Sequence, residues 1–318
     1  MTTHTEHSLL HSALFYRSER EYVDSVVRFV SESLSKAHPV LVAVPGNKMA
    51  LLRDVLGAAD AAGGLVMTDI TEAGRNPGRI LGWMSAFVQR HSNLPVRIIG
   101  ESMWPGRTTV EYPAVVQHEA LINLALAGQD VTDVCLYDES RLDDSVLADV
   151  QVTHPLIWRD GAHQRSPQYA VDVALDRGNE PLLTNPAAVT YTVSQLTDLS
   201  GARRRSAWYG RLRGMSPERI ADLQLVVTEL ATNSLQHGGA RCRLALWYHD
   251  GHLVCEARDS GHLADPLAGR RPPAADGSSA SGLFVVNAVA DLVRTHTSPA
   301  GTTIRAYLCL GRLSGEAA

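Results

Sequence analysis

The chain is 318 residues long and 45% hydrophobic, with a formal net charge of −5 and a pI near 6.2. That length suits one large or two ordinary globular domains, and the mildly acidic balance offers no general attraction for a nucleic-acid polyanion. No apolar run approaches the roughly 20 residues needed to cross a bilayer. The opening stretch MTTHTEHS also lacks the charged and apolar regions of a secretion signal, so a cytoplasmic protein without membrane contact is expected.

From residue 10 to about 155 the sequence alternates between helical and strand patterns. Helices are expected over 20–36, 48–56, 78–89 and 113–127, each leading into a short apolar strand at 39–44, 65–69, 95–99 and 131–136. Continuous apolar strands separated by helices predict a parallel sheet covered on both faces, in a doubly wound (Rossmann) or RecA-like α/β domain. Ligands of such a domain bind at the carboxyl ends of its strands. The first of these strands runs into Pro45, Gly46, Asn47 and Lys48. This is not the GxxxxGK[ST] loop that wraps phosphates, so no nucleotide hydrolysis is read there.

Glycines and prolines (Gly161, Pro167, Gly178, Pro181, Pro186) interrupt the next stretch, which reads as a linker over 158–186 with a stray strand at 169–175. Beyond it the order changes. A polar helix (193–211), a strong helix (216–237), two strands (241–248, 253–259), a Gly/Pro/Ala/Ser-rich loop, a helix (282–292) and a last strand (303–309) predict an α+β sandwich. The four cysteines, Cys135, Cys242, Cys255 and Cys309, lie in apolar strand-like stretches with no CxxC pair. Buried reduced thiols are expected rather than disulfides or a zinc site.

Four short motifs in the second half carry chemistry together. In ELATNSLQH, Glu229, Asn233 and His237 recur every four residues and share one helix face. An amide oxygen such as that of Asn233 is a hard ligand suited to Mg²⁺. A carboxylate one turn away, Glu229, can take the proton of an attacking hydroxyl or water. Asp259 ends a strand and can accept a hydrogen bond from an adenine amino group, while Gly261 lets backbone approach the ring. The third stretch, through Gly277, Ser281, Gly282 and Leu283, opens a helix whose N–H groups suit phosphate oxygens. Thr302, before the last strand, offers a hydroxyl to steady the base.

On these residues, 187–312 resembles the GHKL ATPase domain (Bergerat fold), and more narrowly the anti-sigma-factor serine kinases of the RsbW and SpoIIAB type. Asp265, Pro266 and Leu267 match a phrase typical of those regulators. The resemblance implies Glu229 as general base and Asn233 as Mg²⁺ ligand. Asp259 and Gly261 would contact adenine, and Gly282 would form part of the phosphate loop. The family's first glycine of GxGL falls on Ala280, a departure that bears on the strength of ATP binding.

Residues 8–157 resemble the MEDS sensory domain through HSALFY (11–16), GESMWPGR (100–107), EALIN (119–123), LYD (136–138) and HP (154–155). His11, Tyr16, Glu101 and Trp104 are the candidate contacts for an unidentified small ligand. His118 and Glu119 echo the phospho-acceptor box of sensor histidine kinases, but they stand inside an α/β pattern instead of a helical hairpin ahead of the ATPase domain. The expected function is a sensor-controlled kinase that uses ATP and Mg²⁺. Its partners would be a sigma factor and an anti-anti-sigma (STAS-type) protein, with a homodimer possible. A non-catalytic partner switch and a histidine kinase are the alternatives.

Overall fold

A computed structural model describes residues 8–60, 63–159, 161–239, 241–272 and 282–311. It divides into two compact units, Met1–Gly178 and Asn179–Ala318.

The first unit runs β1 (Leu10–Tyr16), α1 (Glu19–Ser35), β2 (Val40–Val44), α2 (Gly46–Asp60), β3 (Leu65–Asp69), α3 (Pro77–Arg90), β4 (Val96–Gly100), α4 (Tyr112–Ala125), β5 (Val131–Asp138), α5 (Asp144–Thr153), β6 (Leu156–Arg159), β7 (Ala162–Arg165) and α6 (Val171–Gly178). Seven strands form one sheet in the order β3-β2-β4-β5-β1-β6-β7, parallel except for β7. Every residue of β2 and β5 is buried, as the apolar runs require of strands covered on both faces. The helices start where the side chains can cap them. Ser18 Oγ accepts from Glu21 N at 3.2 Å, and Asn76 precedes Pro77 at the first position of α3. One face of the sheet carries an apolar core of Leu14, Tyr16, Val42, Val134 and Leu136, closed by Tyr22, Val26 and Val30 of α1 and Leu52 and Leu56 of α2.

The second unit runs β8 (Val189–Val193), α7 (Leu199–Leu212), α8 (Pro217–His237), β9 (Cys242–His249), β10 (His252–Asp259), α9 (Gly282–Val289), β11 (Leu292–Ser298) and β12 (Gly301–Cys309). Its five strands form an antiparallel sheet in the order β11-β12-β10-β9-β8. One face packs on α7, α8 and α9 through Leu223, Val226, Val227, Leu230, Leu244, Leu246, Cys255 and Ala306. The other is crossed by the chain at 179–184. There Leu182 O accepts from Arg258, Leu183 O accepts from Arg305, and Thr184 donates to Glu256. An α/β unit with a mostly parallel sheet and an α+β unit with an antiparallel sheet are the expected fold classes.

The segment expected to be a linker differs from that reading. Residues 158–178 belong to the first unit: β6 pairs in parallel with β1, β7 returns antiparallel, and α6 replaces the strand expected at 169–175. Gly161, at φ 78°, makes the hairpin turn between β6 and β7 instead of breaking structure. Residues 179–184 belong to the second unit, where Asn179 bonds both Thr297 O and Thr297 N. The helix expected over 282–292 ends at Val289, and β11 follows as a strand with no forecast in the sequence.

Candidate functional site

In the second unit α8 carries Glu229, Asn233 and His237. The helix is capped by Ser216, whose hydroxyl accepts from Arg219 N at 3.4 Å, with Pro217 at the first position. Its apolar side packs into the core, which leaves Glu229 and Asn233 half-buried at the edge of α9. The N-terminus of α9 meets them: a Cβ on Gly282 would lie 2.6 Å from Glu229 Oε2 and 3.0 and 3.1 Å from Asn233 Nδ2 and Oδ1. Only a glycine can stand there without displacing both side chains. Asn233 Nδ2 is buried without a hydrogen-bond partner among the described residues, a donor left over in the protein's own accounting.

At the far end of the same helix Asp259 closes β10. Ser234 Oγ donates to Asp259 Oδ2 at 2.6 Å and Gly261 N donates to Oδ1 at 2.8 Å. The two backbones touch at this point. A Cβ on Gly238 would sit 2.3 Å from Asp259 Cγ, and one on Gly261 would sit 2.6 Å from His237 O. Thr302 Oγ1 donates to Gly261 O at 2.8 Å and pairs with Thr297 Oγ1 at 3.0 Å, which pins the turn to β12 and β11. A carboxylate with two donors in place keeps lone pairs for another. The residues therefore fit a nucleotide with a hard cation: a carboxylate and an amide beside helical N–H groups at one end, and a held carboxylate at the other.

In the first unit Tyr16 and Glu101 meet at the carboxyl ends of β1 and β4, where the Tyr16 hydroxyl donates to Glu101 Oε1 at 2.9 Å. Lys48 Nζ stands 4.9 Å from the Tyr16 ring centre and 4.4 Å from that of Tyr22. Glu101 Oε2 is buried with no partner among the described residues. Burial pushes the Glu101 carboxyl up to about 7, although Tyr16 and Lys48 pull the other way.

Comparison with known families now separates the two units. Residues 10–155 match the MEDS model (methanogen/methylotroph, DcmR sensory domain), and residues 192–308 match the histidine kinase-like ATPase domain. The chain carries a MEDS domain followed by a histidine kinase-like ATPase domain. No curated protein matches it.

Within the ATPase domain the expected residues fall into three groups. Glu229, Asn233 and Gly282 come together, as do Asp259, Gly261 and Thr302. His237 is exposed, and its carbonyl rather than its ring reaches the Asp259 turn. Leu283 packs on the core and against Gly269, and Asn287 Nδ2 donates to Gly269 O at 3.0 Å. Gly277, Ser281 and Ala280 lie outside the described residues. Ser234 and Gly238 escaped the sequence reading. Ser234 lies between motif residues with no pattern of its own, whereas the Gly238-Gly239 pair after the helix was a usable signal of close backbone approach.

Within the MEDS domain the four expected ligand residues divide. Alternation along β1 puts His11 and Tyr16 on opposite faces of the sheet. His11 bonds Asn123 Oδ1 at 3.0 Å, well away from the Tyr16–Glu101 pair. Trp104 stacks under the Arg107 guanidinium at 3.5 Å. The structure thus joins Tyr16 with Glu101 and separates His11 from them. His118 is 1% exposed within α4, so it is not presented for phosphorylation. Among the described residues no helix is long and apolar enough to cross a membrane.

Proposed function

We infer that the protein is a cytoplasmic anti-sigma-type regulator. It binds ATP with Mg²⁺ and phosphorylates serine or threonine on an anti-anti-sigma (STAS-type) partner, under control of its MEDS domain. The convergence of Glu229 and Asn233 on Gly282 at the head of α9 is the observation that carries this reading. A domain that only bound nucleotide would have no use for a carboxylate there.

Glu229 is the base: its carboxylate accepts the proton of the attacking hydroxyl. Asn233 would supply an oxygen ligand for the cation, and the first N–H groups of α9 would donate to phosphate oxygens. Asp259, steered by Ser234 and Gly261, accepts from the adenine amino group. Mg-ATP, when bound, supplies the phosphoryl group and the charge neutralisation that in-line transfer depends on. A histidine acceptor at position 118 is disfavoured by its burial.

The test is transfer of labelled phosphate from ATP by the full-length protein to a panel of anti-anti-sigma proteins. Acid-stable label is expected on the partner, with the rate falling about 10²–10⁴-fold in Glu229→Gln while nucleotide still binds. Transfer at an unchanged rate in that variant would remove Glu229 as base. Partner binding without transfer would make the protein a non-catalytic switch, and acid-labile label would make it a histidine kinase.

A further inference from the structure

The face of the MEDS sheet opposite its apolar core is polar at the centre, which is costly unless its groups are hydrogen-bonded, paired or bound to an ion. His11 on β1 and Cys135 on β5 project from that face, since Ala13 pairs with Cys135 and His11 with Asp133. Glu119 descends from α4, and His154 enters from the turn between α5 and β6. Four elements distant in sequence thus bring two imidazoles, a thiol and a carboxylate together, with one donor atom of each within 4.8 Å of all the others. All four side chains are buried, His11 and His154 at 0% exposure, Glu119 at 2% and Cys135 at 6%.

The outer hydrogen bonds determine which atoms point inward. His11 Nδ1 faces Asn123 Oδ1 at 3.0 Å, and that amide's orientation is set by its nitrogen, which donates to Glu119 O, Ala120 O and Thr153 O. An acceptor partner makes Nδ1 the protonated nitrogen of His11. His154 Nδ1 faces Val150 O at 2.9 Å, also an acceptor, so it too carries the hydrogen. Both Nε2 lone pairs then turn inward. Glu119 Oε1 accepts from Ser102 Oγ, while Oε2, which has no hydrogen-bond partner among the described residues, faces His154 Nε2 at 3.4 Å and His11 Nε2 at 3.8 Å. Cys135 Sγ is 3.5 Å from His11 Nε2, and the Tyr137 hydroxyl is 3.3 Å from His154 Nε2. Without a metal, the Cys135 S–H and Tyr137 O–H can donate to the two Nε2 atoms, which leaves Glu119 Oε2 the unpartnered acceptor of the group among the described residues. A cation at the centre would engage both imidazoles, the sulfur and that oxygen together.

We propose that His11, Glu119, Cys135 and His154 hold a divalent transition-metal ion of the zinc class. Bonds of about 2.0–2.3 Å to four tetrahedral ligands place the donor atoms roughly 3.3–3.8 Å apart, the range of the close pairs here. Imidazole and thiolate donors select Zn²⁺-like ions over Mg²⁺ or Ca²⁺. On binding, Cys135 loses its proton to solvent, and thiolate plus carboxylate neutralise the dication, so no net charge is buried. The second nitrogens, held by Asn123 and by the Val150 carbonyl, are the outer bonds that orient metal-binding histidines. Four protein donors close the coordination sphere, so the ion itself is the ligand, and its occupancy ties α4 and the α5–β6 turn to the sheet.

The full-length protein is stripped with chelator, loaded with Zn²⁺ or Co²⁺ and desalted. Metal content, thermal unfolding and the Co²⁺ absorption spectrum are then read. Expected are about one ion per chain, a higher Tm with Zn²⁺, and a near-ultraviolet thiolate-to-cobalt band with tetrahedral visible absorption. Cys135→Ser should abolish the band, and Asn123→Ala should weaken binding about 10–100-fold. The histidines at 4 and 7 set an adventitious background that a Cys135→Ser/His154→Gln double variant measures. An ion retained equally by that variant, or an unmoved Tm with no thiolate band in the wild type, overturns the proposal. If the variants fail to fold, the cobalt spectrum of the wild type decides by itself.

Discussion

The Ser234 hydroxyl donates to Asp259 Oδ2 at 2.6 Å, so the carboxylate that ends β10 is aimed by the same helix that carries Glu229 and Asn233. The two ends of the candidate nucleotide site are therefore registered to one rigid element. Ser234→Ala leaves Asp259 with its Gly261 bond alone and free to rotate. The expected outcome is ATP affinity lower by about 1–2 kcal/mol, or roughly 5–30-fold, with the fold intact. Titration with a fluorescent nucleotide and a far-ultraviolet circular dichroism spectrum check both halves of that statement.

Gly282→Ala acts at the other end. The added methyl would press on Glu229 Oε2 and the Asn233 amide, which are the tips of movable side chains. Stability should change by less than about 1 kcal/mol, while phosphoryl transfer falls by about 10-fold or more, because a small misplacement of reacting groups costs rate. Single-turnover kinetics beside thermal unfolding separates the two effects.

Arg219 is 5% exposed and ties four places together: Asp222 at 2.7 Å, Val289 O at 3.1 Å, Cys309 O at 3.3 Å, and Asp291. Truncating it strands two carboxylates that keep some contact with water. Arg219→Ala is expected to destabilise the ATPase domain by about 2–4 kcal/mol. Urea unfolding of the full chain measures it.

Glu101 makes stability depend on pH. Its folded pKa, near 7, lies above the ordinary carboxyl value of 4.5, so between those values the folded state holds the extra proton. Its contribution is full below about 4.5 and is lost as pH rises through 7, a change on the order of 3 kcal/mol. Glu101→Gln keeps an oxygen for Tyr16 and removes the titration. Relative to wild type, the variant should gain Tm from pH 5 to pH 8. An unchanged difference would show that Glu101 does not bear the shift.

Several elements were legible because their signals are local. Ser216 and Pro217 announced the start of α8, the spacing of Glu229 and Asn233 placed them on one face, and the runs at 39–44 and 131–136 read as buried parallel strands, found as β2 and β5. The linker expected over 158–186 differs from the structure for an equally local reason. Gly161 and Pro167 look alike whether they end a domain or turn a hairpin, and only pairing of β6 with β1 distinguishes the two.

The sequence by itself determined the two fold classes, the chain order of the nucleotide motifs and the helix that carries Glu229 and Asn233, because capping, periodicity and turn chemistry act over a few residues. Only the tertiary structure decided which side chains meet. It parted His11 from Tyr16, since neighbouring parity on a strand sends them to opposite faces, and it joined Tyr16 to Glu101 across parallel strands. It also gathered His11, Glu119, Cys135 and His154, which have no common spacing in the chain. A cysteine expected to be a buried reduced thiol thereby lies among two imidazoles and a carboxylate, because sheet order, and not distance along the chain, sets its neighbours.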